Sequence, residues 1–183
     1  AQGKLTVLNE LQPGCWINIL DPTKEEIDKV CKMTGTERDF ITAALDEEER
    51  PRIESEDGCT LVLTDIPVVE STTDSTYSFM FSTMPMGIII TETNVFTVSL
   101  NNAQIIEEAV RGTIRNLRPE FKTRFVLQLL LRIAAMFLYY LKQIDKISSL
   151  AEQQLHNAMK NELLMQLLAL EKSLVYFSTS LKA

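Results

Sequence analysis

Arg52-Ile53-Glu54-Ser55-Glu56-Asp57-Gly58-Cys59-Thr60-Leu61-Val62-Leu63 decides the fold class of this chain. Asp57-Gly58 is a two-residue hairpin signal, because a tight turn that matches strand twist needs positive φ and Asp-Gly supplies it. The turn joins a strand over 52–56 to one over 60–69. Further along, 71–75 is a polar turn, and Tyr77, Phe79 and Phe81 alternate as a half-buried strand does. Residues 87–91 and 95–100 pair across Glu92-Thr93-Asn94. Upstream, Trp16-Ile17-Asn18-Ile19-Leu20 reads as a strand after the turn Pro13-Gly14, and Leu5-Thr6-Val7-Leu8 as a shorter one. The result is an antiparallel meander whose faces helices must cover.

Those helices have their own signals. Thr23 and Glu26 have capping-box spacing, with Ile27, Val30 and Cys31 on one face and Gly35 as the stop. Thr36 is expected to cap a second helix that buries Phe40, Ile41, Ala44 and Leu45. It runs on through Asp46-Glu47-Glu48-Glu49-Arg50 and ends before Pro51, since the residue preceding proline disfavours helix. Asn101 or Asn102 caps a third, carrying Ile105, Ile106, Ala109 and Val110 and closed by Gly112.

After Pro119 the chain has neither Gly nor Pro. Leu127, Leu130, Ala134, Phe137, Leu141, Ile144, Ser148, Ala151 and Leu155 step by three and four. So do Leu163, Leu167, Leu170, Leu174, Phe177 and Leu181, the pattern of helices packed along their length. One unbroken helix would be about 95 Å long, so a reversal is expected between His156 and Asn161. The fold class is therefore α/β: a mixed, largely antiparallel sheet sandwiched by short helices, followed by a long antiparallel helical hairpin. The expected division is 1–118 for the α/β part and 119–183 for the hairpin.

Composition narrows the function. The chain has 183 residues, 45% hydrophobic and 23% charged, which suits a globular protein. A net charge of −7 repels phosphate backbones, so no nucleic acid is expected as a partner, and it favours cations. Cys15, Cys31 and Cys59 lack disulfide or zinc-ribbon spacing and suit a reducing cytoplasm. No signal peptide is expected from residues 1–10. The apolar run 125–141 is short for a membrane span and carries Arg132 near its middle, so a buried helix is the expected reading. His156, the single histidine, has no triad or metal-site partners in the pattern, and no phosphate loop or dinucleotide fingerprint appears. No enzyme is expected.

Taken in order, Trp16-Ile17-Asn18-Ile19 followed by Pro22-Thr23 and Glu26, then Glu49-Arg50-Pro51-Arg52-Ile53-Glu54, then Leu61-Val62-Leu63, and the long helix from Phe121 resemble the cytoplasmic domain of the CorA family of magnesium transporters. The resemblance implies a gating domain that precedes two membrane helices, with the family's Gly-Met-Asn motif lying beyond Ala183. It implies a homopentamer on the cytoplasmic side of the membrane, closed by divalent cations between subunits. Mg2+ is the leading ion and Co2+ a rival; a zinc-transporting branch of the family is an alternative. So is a soluble, oligomeric α/β interaction module with no transport role. The family's acidic pairs align with Thr42 and Ala43, and with Ala135 and Met136, none of which ligates a metal. The densest acidic run, 46–49, offers Asp46 and Glu49 on one side of a helix as the candidate metal ligands. Its competing reading is a solvated helix end neutralised by Arg50 and Arg52.

Overall fold

The computed structural model describes residues 5–70, 80–157 and 161–183. The elements are β1 (Trp16–Leu20), α1 (Lys24–Thr34), α2 (Arg38–Ala43), β2 (Arg52–Glu56), β3 (Cys59–Glu70), β4 (Met80–Ile90), β5 (Val95–Ser99), α3 (Gln104–Val110), α4 (Lys122–Asn157) and α5 (Asn161–Lys182). The five strands form one mixed sheet in the order β1-β5-β4-β3-β2. β2 and β3 are antiparallel, as are β4 and β5, while β1 lies parallel to β5 with Trp16 opposite Val95. At the β2–β3 turn Asp57 has φ 45° and Gly58 φ 79°, the conformation their sequence encodes. β2 is exposed throughout and carries Arg52, Glu54 and Glu56, charges that keep an edge strand from recruiting another chain.

The chain forms two compact units, Ala1–Asp65 with Pro85–Arg132 and Ile66–Met84 with Ile133–Ala183. The boundary expected at 118/119 falls inside the first. In that unit α1 and α2 cover one face of the sheet. Ile27, Phe40, Ile41 and Ala44 meet Ile19, Leu61, Leu63, Ile89, Phe96 and Val98 in a common core. Thr23 and Glu26 form the expected capping box, and Gly35 ends α1 in the left-handed region. At Thr97 in β5, the Trp16 indole N–H donates to Oγ1 at 2.8 Å, and Oγ1 donates to Asn18 Oδ1 at 2.9 Å. The Trp16 ring also lies 5.6 Å from that of Phe125 at the start of α4.

In the second unit Phe81 of β4 lies 5.3 Å from the Tyr140 ring and 6.4 Å from that of Phe177, which in turn meets Phe137 edge-on at 5.0 Å. Forty helical residues would span about 60 Å, so Phe137 and Phe177 touch only because the chain reverses between α4 and α5. Ser173 Oγ accepts the Phe81 N–H at 3.1 Å and donates to Ala169 O at 2.9 Å, which satisfies a hydroxyl with no solvent exposure.

Several local expectations are corrected. Residues 5–8 form no strand, and Val7 is 93% exposed. Thr36 does not cap α2, whose N-cap is Glu37; its hydroxyl instead accepts from Thr34 at 2.9 Å. Ala103, not Asn101 or Asn102, is the N-cap of α3, and the Asn102 amide donates to Glu107 Oε1 at 2.9 Å. The early part of the α4 seam is also shifted. Phe125, Val126, Leu129, Ile133 and Met136 are buried, whereas Leu127 is 59% exposed. From Phe137 onward the expected positions Ile144 and Ala151 are buried. On α5 the seam passes through Leu170, Ser173 and Phe177, leaving Leu174 and Leu181 exposed. Tyr77 and Phe79 lie outside the described residues.

Candidate functional site

α2 stops at Ala43, three residues short of the acidic run. The Leu45 and Asp46 N–H groups bond back to Thr42 and Ala43 carbonyls at 3.0 and 3.4 Å, which closes the last turn. Asp46 then turns the chain: its Oδ1 accepts the Glu48 N–H at 3.0 Å and its carbonyl accepts the Glu49 N–H at 3.2 Å. An aspartate accepting from the residue two ahead is a turn former that competes with helix. Asp46 and Glu49 thus lie in a turn and not, as expected, on one side of a helix.

Beyond the turn, Arg52 sits between two carboxylates. Its Nη1 pairs with Glu49 Oε2, and its Nε donates to Glu54 Oε2 at 3.0 Å. The charge-assisted bonds to Glu54 and then to Glu49 hold the guanidinium pKa above its usual value. Asp46 is exposed and Glu49 half-buried. Asp46 is held in a turn hydrogen bond, and one Glu49 oxygen is taken by Arg52. The arrangement is not a preformed cage. Among the described residues, no group of three or more His, Cys, Asp or Glu side chains is arranged to hold a metal. Thr42 and Ala43 close α2, and Ala135 and Met136 lie on α4, so neither pair supplies a carboxylate.

Sequence reasoning marked Arg132 only as a cost to membrane insertion. In the fold its Nη2 donates to Glu108 Oε1 at 2.7 Å and its Nε to Oε2, while Gln104 Nε2 also donates to Oε1 at 2.9 Å. No local spacing signals a partner 24 residues away. The Arg132 hydrogen bonds lower the Glu108 pKa, opposed in part by burial. A carboxylate whose folded pKa is depressed contributes stability above its unfolded pKa and loses it as pH falls through the folded value. Glu108→Gln should therefore cost about 1–2 kcal/mol near neutrality, allowing for the partial exposure of Arg132. The gap to the parent should close below about pH 4, under the usual glutamate range. Urea titrations between pH 3 and 7 check this, and a gap independent of pH would refute it.

α4 holds the one helix stretch among the described residues, Lys122–Gln153, that is long and apolar enough to cross a membrane by length and composition. One face of it is buried within the fold, through Phe125, Leu129, Ile133, Phe137, Tyr140 and Ile144. The first unit also contains a cavity of about 760 Å³ beside β1, lined by Leu8, Trp16, Val30, Met33, Phe96 and Val110 among others. It includes neither Asp46 nor Glu49.

Comparison with known proteins places this geometry. The family described as CorA-like Mg2+ transporter protein matches residues 12–183. The cobalt/magnesium transport protein CorA of Methanocaldococcus jannaschii is 26% identical over 177 residues, 92% of this chain and 52% of that protein. The chain therefore spans about half the length of that relative. The solved soluble domain of CorA from the same organism superimposes with a TM-score of 0.75 at 26% identity, covering 91% of this chain and 65% of that one. The cytoplasmic domain of ZntB from Vibrio parahaemolyticus has a TM-score of 0.62 over 91% of this chain and 64% of its own, at 12% identity, a likeness of fold alone. With its mixed five-stranded sheet and long α4, matched from residue 12 to its last residue, this chain belongs to the CorA-like Mg2+ transporter family.

Proposed function

We propose that this chain is the cytoplasmic gating domain of a divalent-cation transporter, that it acts within a homopentamer at the inner face of the cell membrane, and that it catalyses no reaction. Mg2+ is the leading cargo and regulator, with Co2+ as a rival. The reading is carried by the continuous family match over 12–183, together with a relative named for cobalt and magnesium transport. Cations that bridge carboxylates of neighbouring subunits stabilise whichever state brings those carboxylates together, and they shift the population only by their differential affinity.

A chimera tests the proposal. The matching part of the M. jannaschii transporter is replaced by this chain, and Mg2+ and Co2+ uptake into liposomes is followed with internal Mg2+ low and high. Uptake that internal Mg2+ shuts off is the expected result. Uptake indifferent to internal Mg2+ would remove the gating role.

We further propose Asp46 and Glu49 as a weak cation site on the isolated domain. Two carboxylates, one already paired with Arg52, leave Mg2+ largely hydrated, and dissociation constants of about 10⁻⁴–10⁻³ M are expected. Little preference over Ca2+ should follow. Calorimetry on the parent and on the Asp46→Ala, Glu49→Ala double variant checks this. Equal heats from both proteins would remove these residues as ligands, and submicromolar binding would require a formed site elsewhere.

A further inference from the structure

The cavity beside β1 is built from parts of the chain that lie far apart in sequence. β1 is an edge strand of the sheet and Phe96 belongs to its neighbour β5. Val30 and Met33 of α1, Val110 at the end of α3 and Glu120 just before α4 complete the lining. Residues 5–11, which form no strand, also line it. Its volume of about 760 Å³ falls within the range of small-molecule sites. Large apolar side chains gather here and stay exposed: Val7, Leu8, Leu11, Met33 and Val110 at 93%, 48%, 40%, 55% and 55%. Single exposed apolar residues are ordinary, whereas several around one cavity mark a binding surface.

We infer that this cavity is a binding site for an organic cation with an apolar body, of the alkylammonium class. Several polar groups of the lining are already engaged within the protein. The Trp16 indole N–H donates to Thr97, Asn18 Oδ1 accepts from Thr97, the Thr34 hydroxyl donates to the Val30 carbonyl at 2.7 Å, and Cys15 Sγ accepts from the Asn94 amide at 3.0 Å. Among the described residues, the charged side chains of the lining are Glu10 and Glu120, both exposed, and no Lys, Arg or His joins them. Neither carboxylate is held in an ion pair with another described residue. The Glu120 stem lies against Gly14, where an added Cβ would stand 3.7 Å from Glu120 Cγ. Lys122, two residues on, directs its ammonium to the Thr91 carbonyl at 2.9 Å and to that of Glu92. The two glutamates therefore remain for a ligand. A hydrated metal ion gains nothing from apolar walls, and a fatty-acid anion is repelled by both carboxylates. An alkylammonium matches the lining in both respects: its chain covers the apolar surface and its head group meets the negative charge. The site is separate from Asp46 and Glu49 and does not depend on the gating reading.

Trp16 is the single tryptophan of the chain and lines the cavity, so its fluorescence reports occupancy. The whole chain is titrated at constant ionic strength with octylammonium, octanol, octanoate and ethylammonium. A saturable change with octylammonium is expected, at a dissociation constant about fivefold below that of octanol, the size of an exposed charge contact. Ethylammonium should bind at least about tenfold more weakly, since it leaves most of the apolar wall uncovered. Glu120→Gln should bring octylammonium close to octanol, and Glu120→Lys should place octanoate above octylammonium. Glu56→Gln makes the same change of net charge at an exposed position of β2 and should leave the parent order intact. Absence of a saturable Trp16 response to all three octyl compounds overturns the site. Octanol or octanoate binding as tightly as octylammonium overturns the ligand class. Equal octylammonium affinity in Glu120→Gln and Glu56→Gln overturns the role of Glu120.

Discussion

Phe137→Ala is expected to destabilise the second compact unit by about 3–5 kcal/mol, the cost of deleting a buried phenylalanine and leaving part of its volume empty. Phe137 is 4% exposed, and its ring meets that of the fully buried Phe177 edge-on at 5.0 Å. Edge-to-face aromatic pairs contribute about 0.5–1.5 kcal/mol beyond area burial. Phe177 also contacts Phe81, so the cavity would open beside a packed aromatic pair. Phe137→Leu, which keeps most of the volume, should lose less than half as much. Denaturant titration monitored by circular dichroism measures both. A midpoint in Phe137→Ala equal to the parent's would place this side chain outside the core and break the register of α4 described above.

Gly87→Val is expected to be comparably damaging for the opposite reason. A Cβ at position 87 would stand 2.6 Å from the Ala44 Cβ, with Leu61 Cδ1 at 3.5 Å and Val98 Cβ at 3.8 Å. Ala44 has no exposed surface, and Leu61 and Val98 are equally buried, so none of them can yield into solvent. Overpacking of this kind costs about 1–3 kcal/mol and at times more, and the two γ-methyls of valine place Gly87→Val at or above the upper end. Gly87→Ala should show the same effect at smaller size. Combining it with Ala44→Gly should recover most of the loss, because position 44 only caps α2 and glycine there removes the clashing atom without weakening a helix interior. Chemical denaturation of the two single variants and the double variant forms the cycle. Additive losses would mean that Gly87 answers to something other than contact with α2.

Local chemistry explains where the sequence was legible. Asp57-Gly58, the Thr23–Glu26 capping box and Gly35 act within four residues of themselves, and each appears in the fold as read. The pairing of 87–90 with 95–98 follows from a short loop, which leaves few alternatives. The acidic positions 46 and 49 were legible as residue types but not as geometry. Whether 46–49 prolongs α2 or turns depends on a hydrogen bond that the Asp46 carboxylate accepts from the Glu48 N–H, a local alternative to the helix.

By itself, then, the sequence determined the α/β class, the hairpins, the reversal between the two long helices and the family resemblance, because local turn chemistry and hydrophobic period carry each of these. Tertiary structure decided what depends on residues far apart. It set β1 parallel to β5 across 79 positions, as Trp16 faces Val95. It found Glu108 for Arg132, gave Gly87 its neighbour in Ala44, and chose Phe125 and Leu129 over Leu127 as the buried face of α4. Periodicity identifies a helix with an apolar stripe. Which of its apolar positions face inward is decided by the elements packed against it, here in favour of Phe125 and Leu129.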